Sequence, residues 1–238
     1  MTKVAIVTGG TGSIGSAVCT CLLAQGWIVI AADLAEPSDL PKHLHFAKLD
    51  VTSTTSVNAV FDLAASLGSM QALVNAHGIL LETTVGSYDE ERFQAVLDIN
   101  LKGVARMCDA AVSRIADRGA IVTLSSVTAM MGRAKGSSAY VASKAGVEAL
   151  TRNFAVALAS REVRVNCVAP GFVSQPMAGE GSMLRARQGG NDAVQSFTPF
   201  GRLVTPQEVA EVICFLCSEQ ASGVSGIVIP VDGGQLAF

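Results

Sequence analysis

Tyr140 and Lys144 stand four residues apart in Tyr140-Val141-Ala142-Ser143-Lys144. On a helix that spacing puts a phenol and an ammonium on one face. Such pairs are common on protein surfaces, so their meaning depends on what shares the neighbourhood. Ser125-Ser126 closes a β-branched run just before this pair, and Asn75-Ala76-His77-Gly78 follows another. A second constellation lies near the N-terminus, in Thr8-Gly9-Gly10-Thr11-Gly12-Ser13-Ile14-Gly15. Glycines there let the backbone turn tightly and approach a pyrophosphate. The free N–H groups and positive end of a following helix then hold that anion. Asp33 comes 24 residues after Gly9, at the end of the next apolar run. A carboxylate in that place accepts hydrogen bonds from both hydroxyls of an adenine ribose. Asp50-Val51, after a third run, either touches adenine or simply leads into the next helix.

These groups meet only if particular elements carry them. Short β-branched runs predict strands at Lys3–Thr8, 27–32, 45–49, 72–75, Ala120–Leu124, 163–168 and 227–230. Helical periodicity covers 14–25, 54–67, 89–117, 138–160 and 206–218, with Ser53 and Thr205-Pro206 as helix starts. Strand and helix alternate along the chain, which predicts an α/β fold: a doubly wound parallel sheet of about seven strands with helices on both faces. In such a sheet ligands bind beyond the carboxyl ends of the strands. Those ends carry Gly9, Asp33, Asn75, Ser126 and Pro170-Gly171, so all of them are expected at one crevice. The stretch 174–202, with five glycines, reads as a mobile lid over it, and the four residues after Gly234 read as a tail.

Composition narrows the partners. Half of the 238 residues are apolar and only 16% are charged, against a usual ~25%. That excludes a disordered chain and fits one domain over 1–238. The net charge is −3 with no basic tract, so neither nucleic acid nor a membrane surface is an expected partner. From Val4 to Ala32 there is no charge, but five glycines interrupt the stretch, which reads as strand, loop, helix and strand inside a fold. The six cysteines sit among Ala, Val, Leu and Ile and read as buried thiols of a cytoplasmic protein. Cys214 and Cys217 have the spacing of a metal pair without a second pair or a nearby His, so no metal site is expected.

Taken in order, the glycine loop, Asp33, Asn75 and Gly78, Asn100, Ser126, Tyr140 with Lys144, Pro170-Gly171, Arg202 before Thr205-Pro206-Gln207-Glu208, and Val231-Asp232-Gly233-Gly234 resemble the short-chain dehydrogenase/reductase family from end to end. The resemblance implies a Rossmann-type fold and hydride transfer between a nicotinamide cofactor and an alcohol or ketone. It implies Asn100, Ser126, Tyr140 and Lys144 as catalytic residues. Tyr140 is the general base or acid, Ser126 (or its neighbour Ser125) holds the substrate oxygen, and Asn100 belongs to a water relay toward Lys144. Gly9, Thr11, Gly12, Ser13, Ile14, Gly15, Asp33, Leu34, Asp50, Val51, Asn75, Ala76, Gly78, Tyr140, Lys144, Pro170, Gly171 and Val173 are implied to hold the cofactor. Asp33 without a nearby cation points to NAD(H) in preference to NADP(H). The adjacent Lys144 cation and the positive nicotinamide are together expected to favour the Tyr140 phenolate. Leu80, Leu81, Met130, Met131 and Phe172 are expected to wall an apolar small-molecule substrate, with Arg133 left in solvent. Members of the family form homodimers and homotetramers, and the small apolar helix at 145–159 suits that.

Three features depart from the family pattern. Gly9, Gly12 and Gly15 are spaced as in its longer, sugar-nucleotide-modifying branch, His77 replaces an expected alanine, and Gln175 replaces a threonine. Reduction of 3-oxoacyl-carrier-protein substrates, isomerase or dehydratase chemistry, and a non-catalytic nucleotide-binding regulator are the alternatives.

Overall fold

The computed structural model describes residues 3–36, 40–81, 86–131, 138–174 and 198–237. Seven strands form one parallel sheet: β1 (Lys3–Thr8), β2 (Ile28–Asp33), β3 (Leu44–Lys48), β4 (Ser69–Asn75), β5 (Ala120–Leu124), β6 (Arg164–Pro170) and β7 (Val228–Val231). Their spatial order is β3-β2-β1-β4-β5-β6-β7. The chain therefore winds outward from β1 in one direction, returns at β4 and winds outward in the other. Thr8 at the end of β1 pairs with Asn75 at the end of β4. The reversal of strand order opens a crevice there, because the loops after these two strands leave in opposite directions.

Side chains alternate across each strand. Val4 and Ile6 join one core while Ala5 and Val7 join the other. The first core takes α2 (Thr54–Leu67), α4 (Val104–Val112) and α5 (Ser138–Ala157). The second takes α1 (Ser13–Ala24) and α6 (Pro206–Cys217). Burial on both faces is why the inner strands read as continuous apolar runs. Two predicted helix starts are seen in full. Ser53 accepts from Ser56 N–H, and Thr205 and Glu208 form a reciprocal capping box with Pro206 in the first turn. An Arg202 guanidinium beside Glu208 holds its carboxyl down at about 2.

One long helix expected over 89–117 is three pieces: α3 (Glu90–Leu97), a π-helical turn (Asp98–Gly103) and α4. The interruption has a tertiary cause, centred on Asn100. The expected tail is also corrected. Gln235–Ala237 form a 3₁₀ turn and Gln235 is buried. The cysteines within the described residues are free thiols, and burial pushes those of Cys19, Cys108 and Cys217 up to about 12. Among the described residues no His/Cys/Asp/Glu group is arranged to hold a metal, and no helix is long and apolar enough to cross a membrane.

Candidate active site

The glycine loop joins β1 to α1 with almost no spare room. Gly9 has φ +64°, and a Cβ on it would lie 2.8 Å from the His77 backbone. A Cβ on Gly15 would lie 2.0 Å from the Gly9 carbonyl oxygen. Gly12 caps α1 without a side-chain hydrogen bond, and no acid sits in the first turn. The positive end of α1 is thus left to an outside anion. Thr11, Ser13 and Ile14 complete the loop.

Asp33 ends β2 and faces this loop. Its Oδ2 accepts from Thr11 N–H at 3.0 Å and from Thr11 Oγ1 at 2.6 Å, while Oδ1 accepts from Leu34 N–H at 2.7 Å. The carboxylate is therefore fixed rather than loose in solvent. Leu34 is exposed, as a residue lying along a bound nucleotide would be. Asp50 is exposed and accepts from Thr52, while Val51 is buried against Gly103. Across the crevice the Asn75 side chain is fully buried, and its Oδ1 has no hydrogen-bond partner. An uncapped helix start, a glycine cradle and an orphaned buried acceptor fit a dinucleotide. Ala76 and Gly78 line the same edge, and a Cβ on Gly78 would crowd Asn100 Oδ1 and Lys144 Nζ at 3.3 and 3.5 Å.

The chemical end is assembled by α5. Its i, i+4 spacing places Lys144 Nζ 5.6 Å from the centre of the Tyr140 ring. Lys144 is 3% exposed and donates to the Leu124 carbonyl at 2.8 Å. Tyr140 shares a hydrogen bond with Ser126, which pulls its acidity toward the normal range, but burial dominates and holds the phenol up at about 12. Burial also brings Lys144 down to about 8. Desolvation is the dominant influence on the phenol.

Of the adjacent serines, Ser126 meets Tyr140. Ser125 instead donates to Glu148 Oε1 at 2.7 Å and to the Lys144 carbonyl at 3.2 Å, and so braces α5. Asn100 is fully buried in the π turn. Its Oδ1 accepts from Ile79 N–H and its Nδ2 donates to the Ile79 carbonyl, both at 2.8 Å, with a further contact to Ser143 Oγ at 3.3 Å. This clamp to the loop after β4 coincides with the break in the long helix.

The remaining candidates fall where the sheet order puts them. Pro170 ends β6, Gly171 N–H donates to the Val231 carbonyl at 2.9 Å, and Val173 is buried, bridging to Val204. Leu80, Leu81, Met131 and Phe172 are half-buried and Met130 is exposed. Arg133 and 175–197, most of the expected lid, lie outside the described residues.

His77 has no role that the sequence assigns. Its Nδ1 lies 2.6 Å from Thr8 Oγ1, and its Nε2 is enclosed without a hydrogen-bond partner, against Gly103. Burial, reinforced by Lys144, brings it from 6.5 down to about 4. The Ile99 carbonyl and Asp33 oppose that. The folded chain thus binds fewer protons at His77 than the unfolded one. Its contribution to stability is present above pH 6.5 and is lost as pH falls through 4. Urea midpoints measured from pH 7 to pH 4 should fall more steeply for the wild type than for His77→Asn. Parallel profiles would exclude a buried neutral imidazole.

Residues 9–235 match the protein family described as enoyl-(acyl carrier protein) reductase. The chain is 39% identical to cis-4-hydroxycyclohexanecarboxylate dehydrogenase of Sinomonas cyclohexanicum, over 99% of this chain and 97% of that protein. It is 36% identical to a 3-oxoacyl-acyl-carrier-protein reductase of Thermotoga maritima, over 98% and 97%. Among solved structures, ligand-free aldohexose dehydrogenase of Thermoplasma acidophilum superposes with a TM-score of 0.89 at 30% identity, over 100% of this chain and 95% of that one.

Proposed function

The chain belongs to the short-chain dehydrogenase/reductase family, and from that membership we propose that it interconverts a secondary alcohol and its ketone with NAD(H) as the preferred cofactor. It is an oxidoreductase acting on CH–OH groups with a nicotinamide cofactor. The finer reading is carried by one observation, the cluster of half-buried Tyr140 with buried Ser126, Lys144 and Asn100 at the carboxyl ends of β4 and β5.

Gly9, Thr11, Gly12, Ser13, Ile14 and Gly15 would hold the pyrophosphate. Asp33 and Leu34 would hold the adenine ribose, and Asp50, Val51, Asn75, Ala76 and Gly78 the adenosine side of the crevice. Pro170, Gly171 and Val173 would hold the nicotinamide end. The bound nicotinamide supplies the hydride acceptor or donor. Ser126 Oγ hydrogen-bonds the substrate oxygen and stabilises its developing charge. Tyr140 Oη gives a proton to that oxygen in reduction, the direction for which a protonated phenol stands ready. In oxidation it must take the proton instead. Bringing its pKa from about 12 to the region of 7 needs roughly 7 kcal/mol of preferential stabilisation. Lys144, still mainly cationic at neutral pH with a pKa of about 8, supplies part of it. Asn100, held in the π turn, belongs to the water relay that returns protons toward Lys144.

The whole of 1–238 acts as one catalytic domain, in the cytoplasm, where its buried thiols stay reduced. Val156 on α5 is 79% exposed, and a second copy packed on that helix would cover it in a homodimer or homotetramer. The Sinomonas relative, named for a cyclic hydroxy acid, supports a cyclic alcohol as the first substrate to try. The Thermotoga relative favours a second reading, reduction of a 3-oxoacyl thioester.

Absorbance at 340 nm with NAD⁺ and cyclohexanol tests the first reading, and acetoacetyl-CoA with NADH tests the second. The expected result includes at least a tenfold preference for NAD⁺ over NADP⁺ in kcat/KM. A 2′-phosphate removes a hydroxyl donor and brings negative charge toward Asp33. At ~5 Å and an effective dielectric of about 20, the repulsion is roughly 3 kcal/mol per unit charge before screening. A preference for NADP⁺ would overturn the assignment of Asp33.

A further inference from the structure

The described chain ends in Val231-Asp232-Gly233-Gly234-Gln235-Leu236-Ala237. Gly233 and Gly234 both adopt positive φ, +64° and +86°, a conformation that glycine takes without steric cost. Asp232 Oδ1 accepts from Gly234 N–H at 2.9 Å, and its Oδ2 accepts from Leu236 N–H at 2.8 Å. Together these devices roll the chain into its final turn and turn Gln235 inward, where it is 5% exposed. Gln235 Nε2 donates to the Met131 sulfur at 3.7 Å, a weak acceptor. Gln235 Oε1 is buried with no hydrogen-bond partner. Buried amide oxygens are ordinarily satisfied, so an orphan held by this much local structure asks for a partner.

Its surroundings say what kind. A Cβ on Gly171 would lie 3.0 Å from Oε1, so the carboxamide sits directly beside the backbone after β6. Met131 lies on the segment between Ser126 and Tyr140. Strands β5, β6 and β7 are neighbours. Ser126 and Gly171 follow neighbouring strands, and the Gln235 carboxamide reaches both Gly171 and Met131, so it lies at the same carboxyl edge of the sheet as Ser126. We propose that Gln235 is a specificity-determining residue: its Oε1 accepts a hydrogen bond from a second hydroxyl of the substrate, on the end away from the reacting carbon. This rests on the reading of the site as a secondary-alcohol dehydrogenase. The substrate class is then a secondary alcohol whose apolar ring or chain carries another hydroxyl.

Gln235→Met removes the acceptor and keeps the length of the side chain. The test is kcat/KM with NAD⁺ for trans-1,4-cyclohexanediol and for cyclohexanol, on wild type and variant. The expected result is a diol-to-cyclohexanol ratio about tenfold lower in the variant, with cyclohexanol itself within about twofold of wild type. The ratio is taken within one preparation, so loss of folded protein cancels. Should Gln235→Met fail to fold, Gln235→Leu is measured with the same pair. An unchanged ratio, or a wild type that does not prefer the diol, overturns the assignment and leaves the dehydrogenase reading standing. A wild type that oxidises neither alcohol overturns the dehydrogenase reading itself, and this assignment with it.

Discussion

Tyr140→Phe is expected to lower kcat by at least about 100-fold, the lower end of what a positioned acid or base contributes, while NADH binding and thermal stability stay close to wild type. The substitution removes one oxygen. Its partner Ser126 Oγ keeps its contacts with Thr128 N–H and Thr128 Oγ1, at 3.3 and 3.0 Å. The ring, with Lys144 stacked over it, is retained. The loss therefore falls on proton transfer rather than on structure. Stopped-flow absorbance at 340 nm, with NADH fluorescence as the binding control, separates the two. Activity within about fivefold of wild type would exclude Tyr140 as the group that moves the proton.

Gly15→Ala should act on the other half of the site, and by steric means. Its Cβ would stand 2.0 Å from the Gly9 carbonyl oxygen, 2.8 Å from the Gly9 carbonyl carbon and 3.0 Å from Gly10 Cα, all backbone atoms with no rotamer to give way. Helix α1 must then draw back from the loop, spoiling the N–H cradle at its start. Overpacking of this kind costs about 3 kcal/mol or more, so NADH affinity should fall on the order of 100-fold. Gly223→Ala is the control, because nothing lies within 4 Å of its Cβ position. Isothermal titration with NADH on both variants decides the matter. Wild-type affinity in Gly15→Ala would mean that the loop is not the pyrophosphate cradle.

Sequence periodicity carried the sheet a long way. β1 and β5 stand where the β-branched runs ended, and the other strands shift by a few residues at their ends. The larger misses share one cause: they depend on contacts distant in sequence. The apolar pattern over 89–117 continues through Asn100, and the clamp to Ile79, 21 residues away, leaves no local trace. Gln235 comes after two glycines and looks like an end. Its burial comes from Asp232 rolling the turn and from Gly171 making room. The Tyr140–Lys144 pair was legible because helix geometry fixes it locally. The balance of burial and charge on the phenol was not, since it depends on how dry the assembled site is.

The bonds between Asp33 and Thr11 bear on any attempt to re-engineer this chain for the phosphorylated dinucleotide. Exchanging Asp33 for a small or basic side chain would admit the extra phosphate. It would also unfasten the N–H and hydroxyl of Thr11, and with them the order of the turn that must greet the pyrophosphate. On the proposed reading of Asp33, cofactor choice and loop order meet in a single carboxylate. A successful swap has to supply two replacements: one for the recognition proposed for Asp33, and another for the latch.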